Sequence, residues 1–385
     1  MTSSRLEVRR SRGRKRLEIA LLASVAVVSG CGGDTTAPNA TGIVFNVTTN
    51  GTDIDTDGFT VAVDGQSQTL PANGKLSVTV APGTHTIAVS GFAFNCDLVS
   101  APHSADVTRG NTTTVVVVAS CAPYLRNAIV YVSEEFDGAV MAMRADGSRT
   151  VRLTNDPPAY AAPAVSPDGQ TIAVAYFDKA WDAIYTLDRF GKGRTKLVGG
   201  GNFDGTPAWS PDGKQLAFRR AIATPYGDAG RIFIVNRDGT GLRQLTPNPQ
   251  PGDATDYTYD SDPSWSADGK RILFWRMSEL CFINVDGTGL VSTGIIVSAP
   301  SWSRDGTHIT YANSGVWVMD MNLEPQRITT GHDDMPRWSP DGTEIVFVRD
   351  ENGVFQLYKV RADGSGEVKL STSIKSDVWP SWSAN

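Results

Sequence analysis

Tryptophan is missing from the first 180 of the 385 residues, and all nine copies stand at or after position 181. That asymmetry alone divides the chain. Histidine and cysteine are scarce throughout, at four each. Only His308 and His332 fall in the tryptophan-bearing part, too few for a metal centre built on several histidines. No Gly-x-Ser-x-Gly elbow, Gly-x-x-x-x-Gly-Lys phosphate loop or His-Glu-x-x-His motif occurs. The mechanisms that depend on them are therefore excluded, and the chain reads as a non-enzyme. Apolar runs of about 20 residues, the length a membrane-spanning helix needs, are also lacking.

Basic charge is in deficit. Thirty-five Lys and Arg face 41 Asp and Glu, a net of −6. Seven of the basic residues and only two acids lie in residues 1–30, so the remainder carries 28 against 39, or −11. Such a surface repels a phosphate backbone and excludes general nucleic-acid binding. What is abundant is glycine (38) and proline (21), beside 40% hydrophobic residues. That is enough for a core, interrupted by many turns, as in all-β architecture.

Residues 1–30 have the layout of a secretory signal, a basic stretch to Arg16 followed by a short apolar run over 19–28. The ending Val28-Ser29-Gly30-Cys31 resembles a bacterial lipobox. That resemblance implies cleavage before Cys31, a lipid on its thiol and membrane anchoring, and Gly32 after it implies the outer membrane. Residues 31–41 are small and aperiodic, a linker.

Residues 42–122 alternate short β-branched runs (43–49, 59–63, 76–80, 84–89, 112–119) with Asp-Gly, Asn-Gly and Pro-Gly turns. Cys96 and Cys121 are the only cysteines in this exported stretch, and a small core of this size invites a disulfide between them. His85 and His103 read as surface or turn residues. The phrases DGFTVAVDG and APGTHTIAVSG resemble the PEGA-like and immunoglobulin-like modules of bacterial envelope proteins, which implies a small β-sandwich acting as a spacer.

Residues 125–385 repeat. Pro-x-Trp-Ser-x-Asp-Gly followed by an apolar strand starts at Pro163 (with Val165 for Trp), Pro207, Pro263, Pro300 and Pro336. A last copy, cut short, starts at Pro380. The spacings of 44, 56, 37, 36 and 44 residues suit four-stranded propeller blades. Second Asp-Gly turns follow at Asp146, Asp238, Asp286 and Asp363, and the last strand tends to end in Leu-Thr. The sixth copy supplies only a first strand, and residues 128–154 supply three strands without a first. Joined, they complete a sixth blade, so the expectation is an all-β chain with a six-bladed β-propeller closed by its two ends, behind a small β-sandwich. The repeat resembles the TolB-type propeller, without the α/β domain that precedes it in that family. The resemblance implies non-catalytic binding of a protein or peptide in the cell envelope. Nothing in a closed ring demands an oligomer.

Loops joining second to third strands, and blade to blade, vary in length (177–182, 221–230, 246–262) and share one face, where binding is expected. There Asp204, Asp260, Asp333 and Asp377 recur three residues before the blade proline. Four carboxylates at a channel mouth suit Ca²⁺ or a basic peptide, and equally suit loop capping. His332, Arg337, Tyr257, Tyr259 and Trp379 lie beside them in sequence as further contacts. A sugar-binding propeller, or a carbohydrate-active lyase or hydrolase, is the alternative. Cys281 reads as a buried free thiol.

Overall fold

The computed structural model describes residues 41–384 except 55, 156–159, 177–182, 201–202, 225–226 and 249–257. Cys31, its signal segment and Tyr257 lie outside the described residues, as do all of the 177–182 loop and most of the 246–262 loop. The described chain is all β, with a single 3-10 turn at Glu134–Phe136. No described helix is long and apolar enough to cross a membrane.

Eight strands build the first part: β1 (Gly42–Gly51), β2 (Phe59–Val63), β3 (Gln66–Leu70), β4 (Gly74–Thr79), β5 (Gly83–Ser90), β6 (Cys96–Ser100), β7 (Ser104–Val107) and β8 (Thr112–Cys121). They form two sheets, ordered β4-β1-β8-β6 and β3-β2-β5-β7. Alternation explains the packing. Ile43, Phe45 and Val47 of β1 and Val115 and Val117 of β8 point inward from one sheet. Phe59, Val61 and Val63 of β2 with Ile87 of β5 meet them from the other. β3, β6 and β7, absent from the sequence reading, are all sheet edges. β3 reads Gln-Ser-Gln-Thr-Leu and buries only Leu70, so it has no apolar period to detect.

Cys96 and Cys121 face each other across β6 and β8 and form a disulfide. His85 departs from the surface expectation. It is buried, with Nδ1 2.6 Å from Asp64 Oδ2 and Nε2 2.8 Å from the Ala81 carbonyl.

The remaining described strands form six four-stranded sheets. Their first strands are Tyr160–Val165, Phe203–Trp209, Asp260–Trp265, Ser298–Trp302, Asp333–Trp338 and Asp377–Trp382. The last of these pairs with Ala128–Ser133, to which Ala139–Arg144 and Thr150–Arg152 are joined in turn. Each first strand lies against the next, and Asp377–Trp382 also lies against Tyr160–Val165.

Repeated residues do repeated work. Ser166, Ser210, Ser266, Ser303 and Ser339 each donate to the turn aspartate two residues on at 2.6–2.7 Å. The same hydroxyls accept a backbone N–H from the following strand, which closes the hairpin. The Leu-Thr ending has a similar logic. Thr154, Thr246 and Thr329 accept the N–H of Val140, Ile232 and Val316 at 2.9–3.0 Å. Trp209 and Trp265 donate their indole N–H to carbonyls of the preceding sheet, Ala164 and Ala208, at 3.0 Å. The segments 221–224 and 227–230, expected as loop, instead extend one hairpin, in which Thr224 pairs with Gly227.

The two parts meet at the Asp-Gly-turn side of the sheets. Asp53 accepts from Arg189 and from the Tyr124 N–H at 2.9 Å. Arg144 donates to Asp97 at 2.9 Å and to the Phe94 carbonyl at 3.0 Å. Phe94, Tyr124 and Phe190 pack in series as tilted rings, with centroids 5.7 and 4.7 Å apart.

Candidate functional site

In each first strand the residue before the proline has a left-handed backbone: Ala162, Thr206, Asp262, Ala299, Met335 and Trp379, with φ of 45–54°. None is glycine, and each precedes proline, so every copy stores strain on the order of 1–2 kcal/mol. The ladder slips at the same place in all six sheets, a β-bulge. Bulges re-aim side chains. Here they turn Thr206, Asp262 and Trp379 into a cavity of about 280 Å³ enclosed by the six first strands.

The bulges are one end of that cavity. The other is the start of the Asp-Gly turns, at Pro167, Pro211, Ala267, Arg304, Pro340 and Ala384. Between them lie prolines and Trp209, Trp265, Trp302, Trp338 and Trp382. Charge enters through Asp262, Arg304 and Arg337. Asp262 accepts the Trp275 indole N–H at 2.6 Å, and burial holds its carboxyl above the usual range. Burial likewise lowers Arg337, against the pull of Asp262 and Asp334. Arg219, lowered to about 10 by burial, spreads over the rings of Phe203 and Tyr259 at 4.0 and 4.9 Å.

The four repeated aspartates occupy one ladder position, on the far side of the bulges, and all are buried. Asp204, Asp260 and Asp333, expected at an open mouth, each meet an arginine directly opposite on the second strand. The pairs are bidentate: Arg220 to Asp204 at 2.6 and 2.7 Å, Arg276 to Asp260 at 2.6 and 2.8 Å, Arg349 to Asp333 at 2.6 and 3.0 Å. Asp-x15-Arg is the sequence signal for this pairing, and it went unread because the partners sit sixteen residues apart. Asp377 faces Ser133 instead and accepts from Ser373 at 2.5 Å, and burial raises its carboxyl. Among the described residues no three His, Cys, Asp or Glu gather closely enough to hold a metal ion.

Of the other expected contacts, Arg337 and Trp379 come together on the central cavity. Tyr259 packs on Trp275, with centroids 5.7 Å apart. His332 is exposed just before its strand, and its carbonyl accepts the Asp350 N–H. Hydropathy did not single out the exposed apolar side chains on the second-to-third and sheet-to-sheet connections: Phe136, Met277, Ile296 and Ile374.

Residues 120–279, about two fifths of the chain, match the family described as the TolB beta propeller domain. The Tol-Pal system protein TolB of Francisella tularensis subsp. mediasiatica is 25% identical over 279 residues, covering 68% of this chain and 61% of that protein. The chain thus spans about three fifths of the length of this curated relative. The crystal structure of TolB from Acinetobacter baumannii covers 67% of both chains at 20% identity, with a TM-score of 0.57. Hydrazine synthase of Kuenenia stuttgartiensis covers 66% of this chain at 14% identity, with a TM-score of 0.52, so the fold alone selects no function. Over about two thirds of its length, this chain is similar to TolB in sequence and in fold.

Proposed function

We propose that this is an exported lipoprotein, anchored through Cys31 at the outer membrane, whose six-bladed propeller binds a protein or peptide of the cell envelope without catalysis. The six sheets are its blades, and the strand Asp377–Trp382 closes the ring by joining the blade begun at Ala128. The PEGA-like or immunoglobulin-like sandwich, with residues 31–41 as linker, carries the propeller away from the membrane. Similarity to a Tol-Pal system protein supports an envelope role.

One observation carries the binding reading. Phe136, Met277, Ile296 and Ile374, 38–79% exposed, share the face of the variable connections, while the sandwich contacts the opposite face. Apolar side chains exposed on the connections of a packed β scaffold are what a partner's hot spot requires. In this reading the repeated aspartates hold strands together rather than Ca²⁺, because three of them already neutralise arginines.

The test is capture from solubilised envelope by the mature chain, compared with a Phe136/Met277/Ile296/Ile374→Ser variant. Leu242→Ser and Met321→Ser, in turns on the other face, are the controls. A defined partner lost only with the first variant supports the reading; loss only with the controls overturns it. Retention of a Cys31→Ala chain in the membrane would overturn the anchor.

A further inference from the structure

The cavity between the first strands lies on the Asp-Gly-turn side of the bulges, away from the face assigned above to a protein partner. Its walls are chemically unusual for a structural void. Prolines from all six blades and indole rings from five of them line it, yet an arginine, Arg337, is among the lining residues. Arg337 donates only through Nη1, to the Pro336 and Ala299 carbonyls at 2.8 and 3.2 Å. Its Nε and Nη2 meet no acceptor among the described residues, and no described carboxylate lies within ion-pair distance. On the second strands of these sheets Arg220, Arg276 and Arg349 each direct Nε and Nη2 to an aspartate. Arg337 is therefore a preorganised fork whose free edge lines a cavity, and a second cation, Arg304, stands exposed at the rim.

We infer that the central cavity is a binding site for a carboxylate carried on a small apolar body, entering from the Asp-Gly-turn face. A guanidinium fork matches a carboxylate by two parallel hydrogen bonds. Asp262, on the same cavity, opposes a doubly charged phosphate and leaves a single negative charge as the better match. The volume sets the size. About 280 Å³ is the space of roughly nine waters, just under the usual range for drug-sized ligands. A small acid fits, and so does the last residue of a peptide that presents its C-terminal carboxylate.

The whole mature chain is titrated with N-acetyl-L-leucine and with its amide, and binding is read by calorimetry and by emission of the lining tryptophans. Saturable binding of the acid, at least tenfold tighter than the amide, is expected. Arg337→Gln abolishes it, Arg304→Gln weakens it several-fold in a salt-sensitive way, and Asp262→Asn tightens it. A pentapeptide with a free C-terminus, set against its amidated form, identifies the source. Binding of the free peptide means a chain terminus is accepted, whereas binding of the small acid alone means a metabolite-sized ligand. Equal binding of acid and amide, no saturation by 10 mM (far weaker than the roughly millimolar affinity of about 4 kcal/mol), or wild-type binding by a folded Arg337→Gln chain overturns the site. If Arg337→Gln fails to fold, the acid–amide comparison and Arg304→Gln decide. The site and the partner face are on opposite sides of the bulges, so a failure of one leaves the other standing.

Discussion

Removing one carboxylate from the repeated ion pairs separates structure from binding most cleanly at Asp204. Its carboxylate is fully buried, and Arg220 is buried opposite it with 11% of its side chain exposed. Asp204→Asn keeps the shape and one acceptor but leaves the guanidinium without a counter-charge. Breaking a buried pair in this way costs about 3–5 kcal/mol. Arg220 retains some compensation, since its guanidinium lies 5.3 and 5.2 Å from the rings of Phe218 and Phe233, worth about 1 kcal/mol. The expected loss is therefore about 2–4 kcal/mol, or roughly 5–15 °C in melting temperature for a domain of this size. Urea unfolding followed by tryptophan emission is the assay, because every tryptophan belongs to the propeller part and the sandwich is silent. Arg220→Met combined with Asp204→Leu should recover stability to within about 1 kcal/mol of wild type, as an apolar replacement of a buried pair does. A loss under about 0.5 kcal/mol, or a loss of partner capture with unchanged stability, would refute the structural role.

Asp377 should behave with the opposite sign. Burial raises its folded pKa, so its charged form destabilises the protein above the ordinary carboxyl value of 3.8, and this cost vanishes below it. Asp377→Asn should melt higher than wild type at pH 8, with the gap closing toward pH 4; a variant that melts lower at pH 8 contradicts this. In the sandwich, the bond to Asp64 raises His85, and the same bond lowers Asp64. The His85 contribution is complete below about pH 6.5 and lost as pH rises through its raised value. That of Asp64 is lost only as pH falls through its lowered value. Circular dichroism melts should thus decline from pH 6 to 9 in the wild type but not in His85→Gln. Replacing Cys96 and Cys121 together by serine should cost about 3 kcal/mol for the loop they close, seen as earlier unfolding of the sandwich. Burial raises the Cys281 thiol, which should resist a thiol reagent until urea unfolds the propeller; rapid native labelling would show the strand to be open.

How far sequence reaches here depends on the range of the interaction. The Trp-Ser-x-Asp-Gly turns were legible because Ser, Asp and the next strand's N–H bond within five residues. The sandwich strands that bury alternate residues were legible for the same local reason. β3 and β6 were not, since an edge strand satisfies its backbone through a neighbour and buries only one side chain here, Leu70 and Cys96 respectively, so no apolar alternation marks it. The site was harder. Asp204, Asp260 and Asp333 stood out by repetition, but their arginines lie on the adjacent strand, and only register joins them. Arg337 and Trp379 were named from position, whereas Asp262 reaches the same cavity through a bulge that no residue type announces. His85 was misplaced because burial of a polar ring depends on a partner 21 residues away.

The most direct measurement places a photo-crosslinking residue at Met277, at Ile374 or at Leu242 in the mature chain and irradiates intact cells. One and the same envelope protein attached at Met277 and Ile374, with none at Leu242, is the result expected of a propeller that binds through its variable face. Attachment at Leu242 alone, or unrelated proteins at each position, would contradict it.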